Sequence, residues 1–144
     1  MNDNLVIRIH RSGYDPAKLT WRVVHAGDCL EPWLPDGSWG WYERDAAWAD
    51  GDICLLYDSR RGGLMSKAIY SVPGDVVLCS NMPATRFRPE YQTIIGVLAV
   101  SVVPPSWYGH PFAEESEEQR AKNAAFRQGF ADYLRGIASG NQLR

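Results

Sequence analysis

Apolar and polar positions over the first hundred residues form short runs separated by turn residues. That pattern predicts strands rather than helices. Leu5-Val6-Ile7-Arg8-Ile9-His10 is β-branched and partly alternating, and Trp21-Arg22-Val23-Val24-His25 is a second short run. Turn residues follow at Pro32, Pro35-Asp36-Gly37 and Asp50-Gly51. Ile53-Cys54-Leu55-Leu56-Tyr57 is continuously apolar between Asp50-Gly51-Asp52 and Asp58-Ser59, which predicts a strand buried on both faces. Leu64–Tyr70, Val76–Cys79 and Ile94–Val103 are further strands, and Pro73-Gly74-Asp75 predicts a hairpin turn between the first two. The expected fold is mostly β, a compact sheet or barrel-like domain over residues 1–105.

The pattern changes after Pro104-Pro105-Ser106, which reads as a boundary. Ser116 and Gln119 fit a capping box, with Glu114, Glu115, Glu117 and Glu118 where a helix dipole favours acids. Phe126, Phe130, Tyr133, Leu134 and Ile137 then fall on one helical face. Residues 106–144 are therefore expected to be a linker and one C-terminal amphipathic α-helix. Its apolar stripe either docks on the sheet domain or serves as a dimer or partner helix.

Composition narrows the class. The 144 residues are 45% apolar and 22% charged, which fits a globular chain and excludes a disordered one. At this length roughly two-thirds of the unfolded surface can be buried. Net charge is −2, and its distribution is +1 over residues 1–28, −3 over 29–105 and zero over 106–144. No segment forms a basic stripe, so direct nucleic-acid binding is not expected. The lack of an apolar run near the ~18 residues of a membrane span, and of a secretory signal, predicts a cytoplasmic protein that binds no membrane. Three cysteines are too few and too odd in number for a disulfide scaffold. No metal-ligand cluster and no glycine-rich phosphate cradle stand out, so no cofactor is expected. His10 and His110 read as ordinary surface or edge residues. Arg60-Arg61 beside Gly62-Gly63 reads as a solvated hairpin tip.

The chemically informative stretch is Gly27-Asp28-Cys29-Leu30-Glu31-Pro32-Trp33-Leu34-Pro35-Asp36-Gly37. It describes a turn that exposes one nucleophilic side chain near backbone amides. A cysteine with a lysine can form an acyl-transfer dyad, in which the amine takes the thiol proton. Lysine can lose its own proton when desolvated, whereas arginine effectively never does. Lys67 is the one lysine among the six basic residues of 29–105, in a chain with three lysines and twelve arginines. The bland alternative is a strand-end lysine with its head in solvent. Cys54 and Cys79 read as core thiols. Trp33, Trp39, Trp41 and Trp48 surround the turn and suit either core packing or an apolar groove or dimer face.

Gly27 to Gly37 resembles the nucleophile box of the S24/S26 serine peptidases, which include LexA-type repressors, UmuD-type mutagenesis proteins and signal peptidases. That box commonly reads Gly-Asp-Ser-Met-Glu-Pro, then Asp-Gly-Asp. Asp50-Gly51-Asp52-Ile53 is similar to the family's next strand start, and Met65-Ser66-Lys67-Ala68-Ile69 to its lysine-bearing strand. Leu78-Cys79-Ser80-Asn81 and Ile95-Gly96-Val97-Leu98-Ala99-Val100 resemble the segments that follow. The likeness covers residues 24–103. It implies a LexA C-terminal-domain-like β-fold, no cofactor, a homodimer and a protein or peptide substrate. It also implies Cys29 as nucleophile, Lys67 as general base and an oxyanion hole of backbone amides around Asp28 and Cys29.

The departures are specific. Cys29 stands at the serine position, Leu30 at the methionine, Ser38 at the second acid of the first Asp-Gly-Asp, and Ser66 and Ala68 flank the lysine. Three readings follow from Cys29: an active Cys/Lys peptidase, a decayed one kept as a scaffold, or a deliberate Ser-to-Cys replacement. With 28 residues before Cys29, neither a helix-turn-helix nor a long cleavable arm is expected. The competing functions are limited proteolysis and a non-catalytic regulatory or assembly module acting by dimerisation and partner binding.

Overall fold

A computed structural model describes residues 6–31, 33–81 and 84–107. Eight strands occur among them: β1 (Ile7–Ile9), β2 (Leu19–Val24), β3 (Trp39–Glu43), β4 (Ile53–Asp58), β5 (Gly63–Val72), β6 (Asp75–Cys79), β7 (Thr85–Arg86) and β8 (Gln92–Val102). They form one sheet in the order β2-β3-β8-β4-β5-β6-β7, with β1 also paired to β8. Every pairing is antiparallel. The mostly β architecture therefore matches the hydrophobic pattern. The expected helix lies outside the described residues, and so do His110 and the stripe from Phe126 to Ile137.

β8 is the organising strand. Its first half, Gln92–Val97, pairs with β4, and its second half, Val97–Val102, pairs with β3. Register shifts on both sides flank Gly96, one at Ile95 opposite Leu55/Leu56 of β4 and one at Ala99 opposite Trp41/Tyr42 of β3. Tyr42 packs against Gly96, where a Cβ would lie 2.9 Å from Tyr42 Cβ. Only glycine tolerates that approach without a shift.

β4 is the apolar run read from the sequence, and Ile53 to Leu56 are all buried. Alternation splits its neighbours into two layers. Ile53 and Leu55 join Leu30, Leu34, Tyr42 and Leu98 on one side. Cys54 and Leu56 join Ile69, Leu78 and Val97 on the other. The β5–β6 hairpin turns at Pro73-Gly74, with Val72 paired to Asp75 and Gly74 at φ 75°. Proline followed by a positive-φ glycine suits a type II turn. β3 forms without a β-branched run. Trp39, Trp41 and Tyr42 carry it, and Gly40 fits because Leu98 and Tyr42 come within 3.1 Å of its missing Cβ.

One sheet face stays apolar and open. Register aligns Ile7, Val102, Trp39 and Val24 across four strands. Ile7 is 55% exposed, Val24 46% and Trp39 41%. Arg22 covers part of the Trp39 ring, 5.0 Å from its centroid. No helix among the described residues is long and apolar enough to cross a membrane.

Candidate functional site

The box from Gly27 to Gly37 is the long loop of the β2–β3 hairpin. His25 and Ser38 close its neck, His25 N–H donating to Ser38 O at 2.8 Å and Gly37 N–H to His25 O at 2.8 Å. Positive φ at Gly27 (102°) and Gly37 (86°) lets the chain turn at both ends, a conformation that glycine adopts cheaply. The Asp36 carboxylate accepts the Gly27 N–H at 2.7 Å and so ties one end of the loop to the other. Leu30 and Leu34, 3% and 0% exposed, anchor the loop in the core, and the Leu34 N–H bonds back to Leu30 O. Buried Arg8 donates to Trp33 O at 2.9 Å.

Cys29 sits part-exposed on this loop and packs against the Tyr42–Leu98 core cluster. Its carbonyl accepts the Asn81 N–H at 2.9 Å, which ties the loop to the segment leaving β6. Its sulfur lies 4.0 Å from His25 Nε2. His25 is 8% exposed, and burial lowers its pKa against the opposing pull of Asp36 and Glu31, with Lys67 adding to the lowering. The imidazole is therefore neutral at pH 7 and able to accept a proton. The Asp28 and Cys29 N–H groups donate to no partner among the described residues.

Lys67 lies in β5, paired across to Cys54, and its Nζ donates to Ser80 Oγ at 3.3 Å. Lys67 and Cys29 make no direct hydrogen bond among the described residues. Each has its own neighbour instead, His25 beside the sulfur and Ser80 beside the amine. Ser66, beside the lysine, has a structural partner: its Oγ lies 2.7 Å from the Tyr42 hydroxyl. Burial raises that phenol's pKa to about 12, with the Ser66 bond opposing.

A cleft of about 260 Å³ opens beside the loop. Leu30, Trp33, Ile53, Ala68 and Tyr70 give it apolar walls, and Glu31, Ser80 and Asn81 add polar groups to the lining. A small or medium-sized apolar group would fit there. Cys54 and Cys79 are both buried, and burial pushes each thiol up to about 12, with Lys67 pulling Cys79 the other way. Neither is a nucleophile at neutral pH. No group of three or more metal-ligating side chains occurs among the described residues.

In the sequence His25 reads only as the end of the Trp21–His25 strand run. The signal was its four-residue spacing from Cys29 across a turn. It became informative only once the hairpin neck folded His25 back toward the loop.

No family model matches the chain, and no curated protein is significantly similar to it.

Proposed function

We propose that the chain is an S24/S26-like peptidase domain making limited cuts in a protein substrate, with Cys29 as nucleophile. The observation that carries this reading is the setting of Cys29: a part-exposed thiol, 4.0 Å from a neutral imidazole, on a loop that borders an apolar cleft. The thiol gives up its proton, and sulfur attacks the substrate carbonyl. The C–N bond breaks, the proton passes to the leaving amine, and water hydrolyses the thioester. The resemblance assigns the oxyanion to backbone N–H groups around Asp28 and Cys29.

The resemblance assigns the base role to Lys67, held by Ser80. His25 is a second candidate acceptor, its Nε2 lying 4.0 Å from the sulfur, through the Nδ1–H tautomer. The open row of Ile7, Val24 and Trp39 supports pairing with a second copy or a protein partner. A cytoplasmic setting, where thiols stay reduced, fits three unpaired cysteines.

The test is to incubate the full chain with a library of synthetic peptides and read the products by mass spectrometry. Wild type yields defined cuts that Cys29→Ala abolishes and that Lys67→Met or His25→Gln slows. Intact mass of the protein itself reads self-cleavage in the same samples. Identical products from wild type and Cys29→Ala, or none from either, remove the peptidase reading. The non-catalytic binding module then takes its place, for which the lack of a direct Cys29–Lys67 bond already speaks.

A further inference from the structure

Between residues 29 and 105 the chain is acidic, with nine acids and six bases. Four of those six bases, Arg60, Arg61, Arg86 and Arg88, nevertheless line a single cleft of about 520 Å³. It lies at the β4–β5 hairpin tip, facing the turn that leads into β8. We propose that this cleft binds a phosphorylated small molecule through its phosphate group.

The walls are held before any ligand arrives. Ser59 ties the hairpin tip to the turn, its N–H donating to Tyr91 O at 2.9 Å. The Arg88 N–H donates to Gln92 Oε1 at 2.7 Å, and Gln92 Nε2 donates to Asp58 Oδ2 at 3.3 Å. The Arg60 guanidinium rests over the Tyr91 ring, 4.7 Å from its centroid. Preorganised donors lose less entropy on binding.

The local carboxylates offset only part of the arginines' charge, although Asp58 itself lines the cleft. Asp58 is 2% exposed, and its Oδ1 accepts the backbone N–H groups of Arg60 and Arg61, at 2.9 Å and 3.1 Å, rather than their guanidinium groups. Asp75 pairs with Arg86, whose Nε lies 2.8 Å away in an ion-pair contact outside hydrogen-bond geometry. Glu90 is exposed on the turn. Arg60, Arg61 and Arg88 have no carboxylate within ion-pairing distance among the described residues. Guanidinium forks match phosphate oxygens two at a time, which a lysine does not. The volume exceeds what one phosphate fills and lies within the range of small-molecule sites, roughly 300–1,000 Å³. The half-buried Tyr91 ring adds an aromatic wall.

The experiment titrates the full chain by calorimetry and amide NMR with inorganic phosphate, adenosine monophosphate and a short oligothymidylate. Saturable one-to-one binding of phosphate and the monophosphate is expected, with a Kd of about 1 mM or tighter. The monophosphate should bind more tightly than phosphate alone. The double variant Arg60→Ala/Arg88→Ala should weaken it by about tenfold or more, since each loses hydrogen bonds to a charged group. The pair Arg60→Lys/Arg88→Lys keeps the charge and should recover only part of the loss. Both positions are exposed, and a thermal melt checks folding. Arg44→Ala, on a different part of the surface, should bind as wild type. No saturation by about 10 mM, or affinity within about twofold of wild type in the alanine variant, overturns the site. Clear preference for the oligonucleotide overturns its assignment to a small molecule.

Discussion

Replacing Gly96 with alanine tests the architecture that carries the candidate loop. Gly96 lies where β8 passes from β4 to β3. An added Cβ would meet Tyr42 Cβ at 2.9 Å, Glu43 O at 3.4 Å and Trp21 Cδ1 at 3.5 Å. The first contact is the severe one. Tyr42 Cβ is the root of a side chain that is 1% exposed and held at its far end by Ser66, so it cannot swing aside. Relief has to come from the backbone of β3 or β8. Overpacking of this kind costs about 1–3 kcal/mol. Alanine returns about 0.4–1 kcal/mol by stiffening the unfolded chain. The net loss is about 1–2 kcal/mol, which lowers Tm by about 2–8 °C for a chain of this size. Urea unfolding followed by tryptophan fluorescence measures it, with the midpoint falling by about 0.5–1 M at constant slope. Gly63→Ala is the control, because nothing lies within 4 Å of its Cβ position. A Gly96→Ala midpoint equal to or above that of wild type would refute the tight crossing, and with it the fixed seat of Tyr42 beneath the loop.

Two further outcomes follow from buried polar groups. His25 has a folded pKa below its ordinary 6.5, so the unfolded chain binds the proton more readily. Its contribution to stability is complete above pH 6.5 and is lost as pH falls through 6.5 toward the folded value. Urea midpoints measured at about pH 7.5 and 5.5 should show this drop in wild type and a smaller one in His25→Gln; equal drops would remove His25 as its source. Ser66→Ala strips the Tyr42 hydroxyl of its 2.7 Å partner and should cost about 1–3 kcal/mol. Adding Tyr42→Phe to Ser66→Ala should recover part of that cost, and strictly additive losses in the cycle would show that the bond carries no coupling.

The strands with continuous or alternating apolar runs were legible residue by residue. Ile53–Tyr57 reads as a buried strand because five apolar residues between two acidic turns are too few for a helix, but its burial stops at Leu56, since Tyr57 is 43% exposed. Pro73-Gly74 fixed its hairpin through local φ preferences alone. β3 was less visible because glycine and glutamate interrupt its aromatic positions, and its strand state depends on pairing with β8 and β2. Gly96 shows the same limit. Nothing local demands glycine there, and the demand comes from Tyr42, fifty-four positions earlier in the chain.

The candidate site divides in the same way. Sequence alone marked Cys29 as a nucleophile on a turn and Lys67 as an isolated lysine in an arginine-rich chain, because both are matters of residue type and spacing. It also fixed that Cys54 belongs to a core, since its neighbours are apolar on both sides. Which nitrogen meets the sulfur was decided by the neck of the β2–β3 hairpin and the strand register, which set His25 beside Cys29 and Ser80 beside Lys67. The gathering of four arginines at one cleft was likewise hidden. Arg60 and Arg61 lie at one hairpin tip, and Arg86 and Arg88 lie twenty-five residues later. Only the pairing of β4 with β8 brings those two stretches face to face. Residue chemistry is local and can be read along the chain, whereas proximity is a property of long-range pairing and arises only when the sheet closes.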